Sequence, residues 1–296
     1  MALNLAVFKT RTLTAAVFVI VMLTGLLWNQ WSFLLLFSII HFGCWIEYQK
    51  LIGLIDPEYT TISPFHKYGV MLAGWCLMLY FTNEGYHIAG VSLHAIGWWA
   101  GLVFLFVLPV GEIILSRKLN VKNILYSAAG LIYISLSWGL LTHLRTLFYG
   151  SLVSEYGRIL VLFIIGSIWI NDTMAYVVGS FIGKTPLSKI SPKKTWEGTL
   201  GGILLAVLVM GMLGYVFGSS LKDPRDWGAI LQWMIIAAIA AVAGTFGDLL
   251  ESKLKRMAGV KDSGQIMPGH GGFLDRFDSL LVATPFVWLY VMWILG

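Results

Sequence analysis

Nine apolar stretches, most of them long enough to cross a bilayer as a helix, run through this chain and restrict the folds that it can adopt. They lie at approximately residues 12–28, 31–48, 68–81, 91–110, 122–141, 159–182, 200–218, 230–250 and 279–295. A spanning helix needs about 20 mostly apolar residues, so only the third stretch is clearly short. Hydrophobic residues make up 58% of the 296 residues and charged residues only 12%, against about 25% charged residues in soluble domains. We therefore predict an all-α integral membrane protein with about nine transmembrane helices.

The remaining composition fits one membrane domain. Cys44 and Cys76 lie inside apolar stretches and outside any CxxC or Cys/His cluster, which indicates small buried hydrophobic residues rather than a disulfide or a metal site. Lys9 and Arg11 precede the first stretch, but no small-residue cleavage site follows it, so we predict a retained first helix and not a signal peptide. Because strand alternation, low-complexity linkers and fixed-period repeats are lacking, the sequence predicts a single polytopic domain over 1–296.

The distribution of Lys and Arg predicts the orientation of the chain. With a cytoplasmic N-terminus, sixteen of the 20 Lys and Arg residues fall in cytoplasmic segments. The four that fall outside are Arg145, Arg158, Lys222 and Arg225. This bias is the positive-inside pattern, and an odd number of spans then puts Gly296 outside. The net charge of +5 is therefore explained by cytoplasmic loops, and a nucleic-acid site is not predicted.

Two helix ends in the segment 247–280 carry carboxylates. If the eighth helix continues out of the membrane, Asp248, Ser252 and Lys255 share one of its faces, because they are spaced i, i+4 and i+7. Asp275 lies near the start of the ninth helix. Mg²⁺ prefers oxygen ligands, usually one or two carboxylates together with substrate phosphates. We predict Asp248 and Asp275 as metal ligands, and because wet helix ends support little packing, we expect both to contribute little to stability.

The connection between these helix ends is basic and rich in glycine. Residues 268–272 read Pro-Gly-His-Gly-Gly, and glycine lets a backbone approach a bound group closely. His270 is the one histidine whose surroundings suggest a function. Five basic residues could neutralise phosphates: Lys253, Lys255, Arg256, Lys261 and Arg276. Lys253 by itself is better explained as a solvated loop residue that follows the positive-inside rule.

A second polar region follows the sixth helix. Asn171 and Asp172 lie within the apolar stretch, where a charged Asp costs roughly 2.5–3.5 kcal/mol. Asp172 should therefore face a polar cavity, or else pair with a lysine. The loop that follows offers several donors for phosphate oxygens, namely Lys184, Lys189, Ser191, Lys193, Lys194 and Thr195. It lacks the GxxxxGK[ST] pattern of a P-loop.

The other candidates are weaker. Glu47 and Glu112 lie near predicted cytoplasmic helix ends, where they could be ligands but more simply cap helices or form pairs. The histidines other than His270 show no metal-ligand spacing. GxSxG and HExxH are both absent from the sequence, so acyl hydrolysis and zinc proteolysis have no support.

At these residues the chain closely resembles the phosphatidate cytidylyltransferases, also called CDP-diacylglycerol synthases. The family signature is matched, in order, by Ser252, Lys255, Arg256, Lys261, Asp262, Pro268, His270, Gly271, Gly272, Asp275, Arg276 and Asp278. Gly247, Asp248 and the run from Ser191 to Gly198 also look like that family. The resemblance covers about residues 166–285, so we place the catalytic half at about 159–296. The first half matches only in being hydrophobic.

The resemblance implies that CTP and phosphatidic acid give CDP-diacylglycerol and pyrophosphate at the cytoplasmic face of a bacterial inner membrane. It implies a Mg²⁺ site at Asp248 and Asp275, with a monovalent ion such as K⁺ alongside, and a homodimer. The residues predicted to act in catalysis are Asp248, Lys255, Arg256, Lys261, His270, Asp275 and Arg276. Those predicted to bind substrate are Asp172, Ser191, Lys193, Lys194, Ser252, Gly271 and Gly272.

Two other functions remain open from the residues alone. In a cation transporter, Asp172, Asp248 and Asp275 would line the path, but the dense basic residues beside them and the lack of an evident inverted repeat argue against this. A CTP-dependent polyprenol kinase would also be membrane-bound. It would phosphorylate an alcohol and release CDP, so the products distinguish it from a cytidylyltransferase.

Overall fold

Ten α-helices make up most of the computed structural model, which describes residues 5–83, 85–115, 120–147, 156–218, 227–265 and 271–295. They are α1 (Leu5–Leu27), α2 (Gln30–Ile55), α3 (Pro64–Tyr80), α4 (Leu93–Leu115), α5 (Val121–Gly130), α6 (Ser137–Thr146), α7 (Tyr156–Ile182), α8 (Trp196–Gly218), α9 (Trp227–Met257) and α10 (Leu274–Leu295). A 3₁₀-helix at Pro57–Thr61 leads from α2 towards α3. A π-helix at Leu131–Leu136 joins α5 to α6.

The helices confirm the prediction of an all-α integral membrane protein. Each of the nine predicted stretches coincides with a helix, if α5, the π-helix and α6 are taken together as the single segment Val121–Thr146. Seven of the described helical segments are long and apolar enough to cross a membrane. Two helices fall outside these seven. The α3 helix has 17 residues, and the apolar part of α1 among the described residues is limited to Leu13–Leu27. A total of nine spans, and the orientation of the N-terminus, therefore stay predictions.

The second helix is longer than predicted, because it continues beyond residue 48 to Ile55. The prediction ended where polar residues begin. Gln49 is nevertheless buried, and its side-chain amide donates to the backbone carbonyl of Lys67 at 2.9 Å, which ties α2 to α3. The Asp56 side chain then accepts from the N–H of Glu58 and opens the 3₁₀-helix. A hydrogen bond to another helix thus keeps polar residues in helical form.

A small β-hairpin was not predicted. Strands β1 (His87–Ile88) and β2 (Val91–Ser92) pair antiparallel just before α4. The two residues between them, Ala89 and Gly90, both have positive φ, at 50° and 81°. This is the backbone form that matches the twist of paired strands in a two-residue hairpin. The stretch is too short for a period of two to be seen in the sequence.

The first of two compact units consists of Met1–Thr142 and Leu254–Phe277. Its core includes buried aromatic rings from three helices. Trp138 of α6 lies 5.1 Å from Phe37 of α2 and 5.6 Å from Phe277 of α10, measured between ring centroids. Cys44 and Cys76 are both buried, as predicted. The start of α10 therefore packs into the core formed by the N-terminal helices.

The second compact unit consists of His143–Lys253 and Asp278–Gly296. Glycines allow its helices to approach closely. A Cβ added at Gly202 of α8 would lie only 2.6 Å from the carbonyl oxygen of Asn171 in α7. One added at Gly247 of α9 would lie 2.9 Å from the Cα of Ser279 in α10. The single polytopic domain stays a prediction, and the predicted catalytic half contributes residues to both units.

We expect Gly202→Ala to destabilise the protein, because the added methyl group must separate α8 from the α7 backbone. Overpacking of this kind costs about 1–3 kcal/mol, which lowers the midpoint of thermal unfolding by several degrees for a chain of this size. The midpoint can be measured in detergent solution.

The matched control is Gly101→Ala in α4, where the new Cβ would meet only the Cβ of Cys76, at 3.8 Å. Because alanine favours a helix over glycine, this control should be neutral or stabilising. Equal midpoints for the two variants would contradict the close packing of α7 and α8.

Candidate active site

Predicted site residues from distant parts of the sequence line one cavity in the second unit. This α7–α9 cavity has a volume of about 560 Å³ and is formed by α7, α9 and the loop and first turn that lead into α8. The predicted residues that line it are Asp172, Ser191, Lys193, Lys194 and Asp248. They share it with polar residues that were not predicted as site residues, including Asn171, Thr199 and Thr245. The structure thus brings Asp248, from one of the polar regions that the sequence singled out, together with residues of the other.

An ion pair joins the two sides of this cavity. The Nζ atom of Lys194 lies 2.8 Å from Oδ2 of Asp248, and the Asp248 side chain is 29% exposed. Lys193 is more exposed than Lys194 and also lines the cavity. The cavity therefore has an acidic group at the α9 side, neutralised by a lysine from the loop, and a second lysine open to solvent.

Asn171 offers the cavity a buried amide oxygen. Its residue is 2% exposed, and its Nδ2 donates to Oγ1 of Thr245 over a long 3.4 Å. Oδ1 has no hydrogen-bond donor among the described residues. A buried polar atom left without a partner costs free energy. Together with the carboxylates of Asp172 and Asp248, this oxygen forms a donor set that suits a hard cation such as Mg²⁺.

The basic loop before α8 is folded against the start of that helix. Both carboxylate oxygens of Glu197 accept from the N–H of Thr185, at 3.2 Å, and Oε2 also accepts from the N–H of Lys184, at 3.1 Å. Oγ1 of Thr195 accepts from the N–H of Gly198 and caps the helix. These bonds fix both ends of the loop, and they therefore also fix the turn that carries Lys194.

The second group of predicted residues lies in the first unit around Asp275, whose side chain is only 7% exposed. Its Oδ1 atom accepts from Nζ of Lys255 at 2.6 Å. Its Oδ2 atom accepts from the backbone N–H groups of Ser263 and Gly272, both at 2.8 Å, and lies 2.9 Å from the Ser263 hydroxyl. We call Lys255, Ser263, Gly272 and Asp275 the Asp275 cluster. It ties the end of α9 to the start of α10.

Gly271 could not carry a side chain in this arrangement. Its φ is +80°, and an added Cβ would lie 2.6 Å from Oδ2 of Asp275. Its neighbour Gly272 contributes the N–H that Asp275 accepts. In the described structure, the close approach that these glycines allow is to a protein carboxylate.

The remaining predicted residues that the structure describes belong neither to the α7–α9 cavity nor to the Asp275 cluster. Arg256 is exposed and donates from Nη1 to the carbonyl of Val260 at 3.2 Å. Lys261 and Arg276 are exposed, and Ser252 is half-buried on α9. Asp278 is buried, and its Oδ1 accepts from the N–H of Ser279. His270 lies outside the described residues.

The two predicted metal ligands have different surroundings. Asp248 belongs to the α7–α9 cavity of one unit, and Asp275 belongs to the Asp275 cluster of the other. Within the part of the chain that the structure describes, three or more His, Cys, Asp or Glu side chains do not gather in a metal-binding group. Each of the two carboxylates instead has a lysine partner.

Comparison with known proteins identifies the family. Residues 9–294 match the sequence profile of the Cytidylyltransferase family. This chain belongs to that family. A phosphatidate cytidylyltransferase of Haemophilus influenzae is 32% identical over 97% of this chain and 99% of its own length. Proteins of the same name from Staphylococcus saprophyticus and Bacillus subtilis are 31% and 32% identical, over 94% and 74% of this chain and 96% and 75% of their own lengths.

Three residues of this cytidylyltransferase family member were missed or left open by the sequence. Ser263 was not predicted, although it is a hydroxyl residue next to Asp262 in the basic connection, which is a usable signal. Glu47 was left as either a ligand or a cap, and the structure confirms a cap, because its carboxylate accepts from the N–H groups of Phe273 and Leu274. Glu112 forms a pair as expected, accepting from Oγ of Ser63 at 2.6 Å.

The burial of Asp275 changes one expectation from the sequence, which was that both aspartates support little packing. We now expect Asp275→Asn to lower the free energy of unfolding far more than Asp248→Asn does. Removing one partner of a buried pair costs about 3–5 kcal/mol, whereas partly exposed pairs contribute about 0–1 kcal/mol. Thermal unfolding of the two purified variants measures the difference. Equal midpoints would contradict the pairing of Lys255 with Asp275.

Proposed function

We propose that this chain is a phosphatidate cytidylyltransferase, which converts CTP and phosphatidic acid into CDP-diacylglycerol and pyrophosphate. The observation that carries the proposal is the end-to-end similarity to the Haemophilus influenzae enzyme, over 97% of this chain and 99% of that protein. The gathering of the predicted residues into the α7–α9 cavity and the Asp275 cluster supports it.

The reaction asks for positioning and charge neutralisation more than for proton transfer. A phosphate oxygen of phosphatidic acid attacks the α-phosphorus of CTP, the bond to the β-phosphate breaks, and pyrophosphate leaves. The attacking oxygen is already anionic, so a strong general base is not needed. Alignment of the reacting atoms and preorganised positive charge then provide most of the rate enhancement.

Two lysines that would bind substrate phosphate are positioned by the carboxylates that they contact. Lys194 contacts Asp248, and Lys255 contacts Asp275. In the proposed reaction, each lysine exchanges its carboxylate for substrate phosphate oxygens. The basic residues that share the phosphates are Lys193, Lys194, Lys255, Arg256, Lys261 and Arg276. Ser191, Ser252 and Asp172 would contact the substrates from the same segments, as would His270 and the adjacent Gly271 and Gly272.

Asp248 and Asp275 would hold Mg²⁺, with the amide oxygen of Asn171 available on the cavity side and K⁺ alongside. All of these groups are oxygen ligands of the kind that hard cations prefer, and those of Asn171 and Asp248 line one cavity. A bound Mg²⁺ supplies Lewis-acid charge neutralisation on the substrate oxygens and on the leaving pyrophosphate. The enzyme is also proposed to be a homodimer that does not bind nucleic acid.

The activity test uses the purified protein with CTP and phosphatidic acid in mixed micelles, with and without Mg²⁺. We expect Mg²⁺-dependent formation of pyrophosphate and of lipid-linked CMP in equal amounts. Asp248→Asn should abolish turnover while the thermal midpoint stays near that of the wild type. The control is Lys253→Gln, an exposed lysine on the same helix that should keep wild-type turnover. Release of CDP without pyrophosphate would identify a kinase and contradict the proposal.

We propose that the active site faces the cytoplasm, which cysteine labelling can test. Lys189→Cys and Lys261→Cys place thiols at exposed positions of the two basic segments. The native Cys44 and Cys76 are buried, so the unsubstituted protein should give little background. A membrane-impermeant maleimide should label both new thiols only in inside-out vesicles. Trp28→Cys, exposed between α1 and α2, should be labelled in intact cells. The opposite pattern would overturn the orientation.

A further inference from the structure

Glu47 is a buried carboxylate in α2 that contacts the signature segment more than 200 residues away. It is 5% exposed. Its Oε2 accepts from the hydroxyl of Ser263 at 2.7 Å and from the N–H of Leu274 at 2.9 Å. Its Oε1 accepts from the N–H of Phe273 at 2.8 Å. Within the described ranges, neither lysine nor arginine lies within ion-pair distance of it. Hydrogen bonds from the signature segment therefore stabilise this buried charge.

Two of these donors belong to the start of α10. The first N–H groups of a helix have no acceptor within the helix, and an anion there also interacts favourably with the helix dipole. Phe273 accepts from the N–H groups of Arg276 and Phe277, so it opens the helix. Glu47 thus caps α10 from a different helix. The residue that follows this cap is Asp275.

Glycines on both sides make room for the contact. A Cβ at Gly264 or at Gly272 would overlap the Glu47 carboxylate. One at Gly43, which lies one turn before Glu47 on α2, would overlap the ring of Phe273. Three positions without a side chain therefore surround this contact, which indicates a fitted arrangement between α2 and the signature segment.

The contact continues directly to Asp275. The Ser263 hydroxyl lies between the two carboxylates, 2.7 Å from Oε2 of Glu47 and 2.9 Å from Oδ2 of Asp275. Gly272, whose backbone packs on Glu47, donates its N–H to the same Oδ2 atom. The backbone that Glu47 holds is thus the backbone that orients Asp275.

We propose that Glu47 is a positioning residue for nucleotidyl transfer, which acts through Ser263 and the start of α10 to fix the Asp275 carboxylate against Lys255. The proposal rests on the proposed function, since Asp275 and Lys255 are placed there in the active site. It gives α2, one of the N-terminal helices, a direct part in forming that site.

The test compares Glu47→Gln with a matched control, Glu112→Gln. Gln keeps the size of the side chain but replaces one acceptor oxygen by an NH₂ group that cannot accept from Phe273 or Leu274. Glu112 is equally buried, at 6% exposure, and accepts from Ser63 away from the signature segment. Both variants lose a buried carboxylate, so both should lose thermal stability. Only Glu47→Gln should lower kcat, by about 10- to 100-fold, with the KM for CTP nearly unchanged.

A second measurement does not depend on turnover. Hydrogen–deuterium exchange in the protein without Mg²⁺ reports on the amides of 263–274 directly. Loss of the Glu47 acceptors should speed exchange in this segment, and Glu112→Gln should leave it unchanged. Ser263→Ala, which removes only the hydroxyl, should lower kcat with little change in the thermal midpoint. Its effect should not add to that of Glu47→Gln, because the two residues act in series.

Wild-type kcat in Glu47→Gln, or unchanged exchange over 263–274, would overturn the proposal while leaving the proposed function intact if the wild type is active. Equal losses of kcat in Glu47→Gln and Glu112→Gln would reduce Glu47 to a general stabilising role and would also overturn it. If Glu47→Gln does not fold, Ser263→Ala decides, since full activity in that variant removes the link to Asp275.

Discussion

The unsatisfied N–H groups at helix starts determine where this protein can keep its carboxylates. The first N–H groups of a helix have no acceptor within the helix, and carboxylates of this protein accept from several N–H groups at helix starts and in the adjoining loops. Glu197 takes up the N–H groups of the loop before α8, and Glu47 takes up those at the start of α10. Asp275 accepts from two further N–H groups of the signature segment. Each acid fixes a turn of backbone and with it the basic residues of the adjoining loop.

In each compact unit a predicted site lysine contacts a predicted site aspartate, and these two pairs differ in burial. The Lys194–Asp248 pair is partly exposed in a cavity that also contains the unpaired amide oxygen of Asn171. The Lys255–Asp275 pair is closed in by backbone donors. An exposed pair exchanges its partner easily, because water compensates the separated charges. A buried pair separates only when another ligand replaces each partner. The two pairs would therefore respond differently to substrate.

The sequence predicts features that depend on local pattern. The helices follow from apolar length alone, and Asp172 lines a polar cavity, as its position within an apolar stretch suggested. The pairing of each aspartate with its lysine was not predicted, because the choice among several nearby lysines depends on tertiary geometry. The continuation of α2 past residue 48 involves a tertiary contact, the hydrogen bond from Gln49 to α3, which local pattern does not reveal. Ligation of Mg²⁺ and the orientation in the membrane stay predictions.

The partners of Glu47 could not be predicted, because they lie 216 to 227 residues further along the chain. The sequence around a single acidic residue near the end of an apolar helix does not indicate which residues it will contact. The glycines of the signature did indicate that another group approaches the backbone closely and needs space there. That group was predicted to be a bound ligand. Gly272 needs that space for the Glu47 carboxylate, and Gly271 needs it for Asp275 and for its positive φ. A glycine-rich motif beside a reactive centre can thus be shaped by the carboxylates that position the centre, as well as by the substrate.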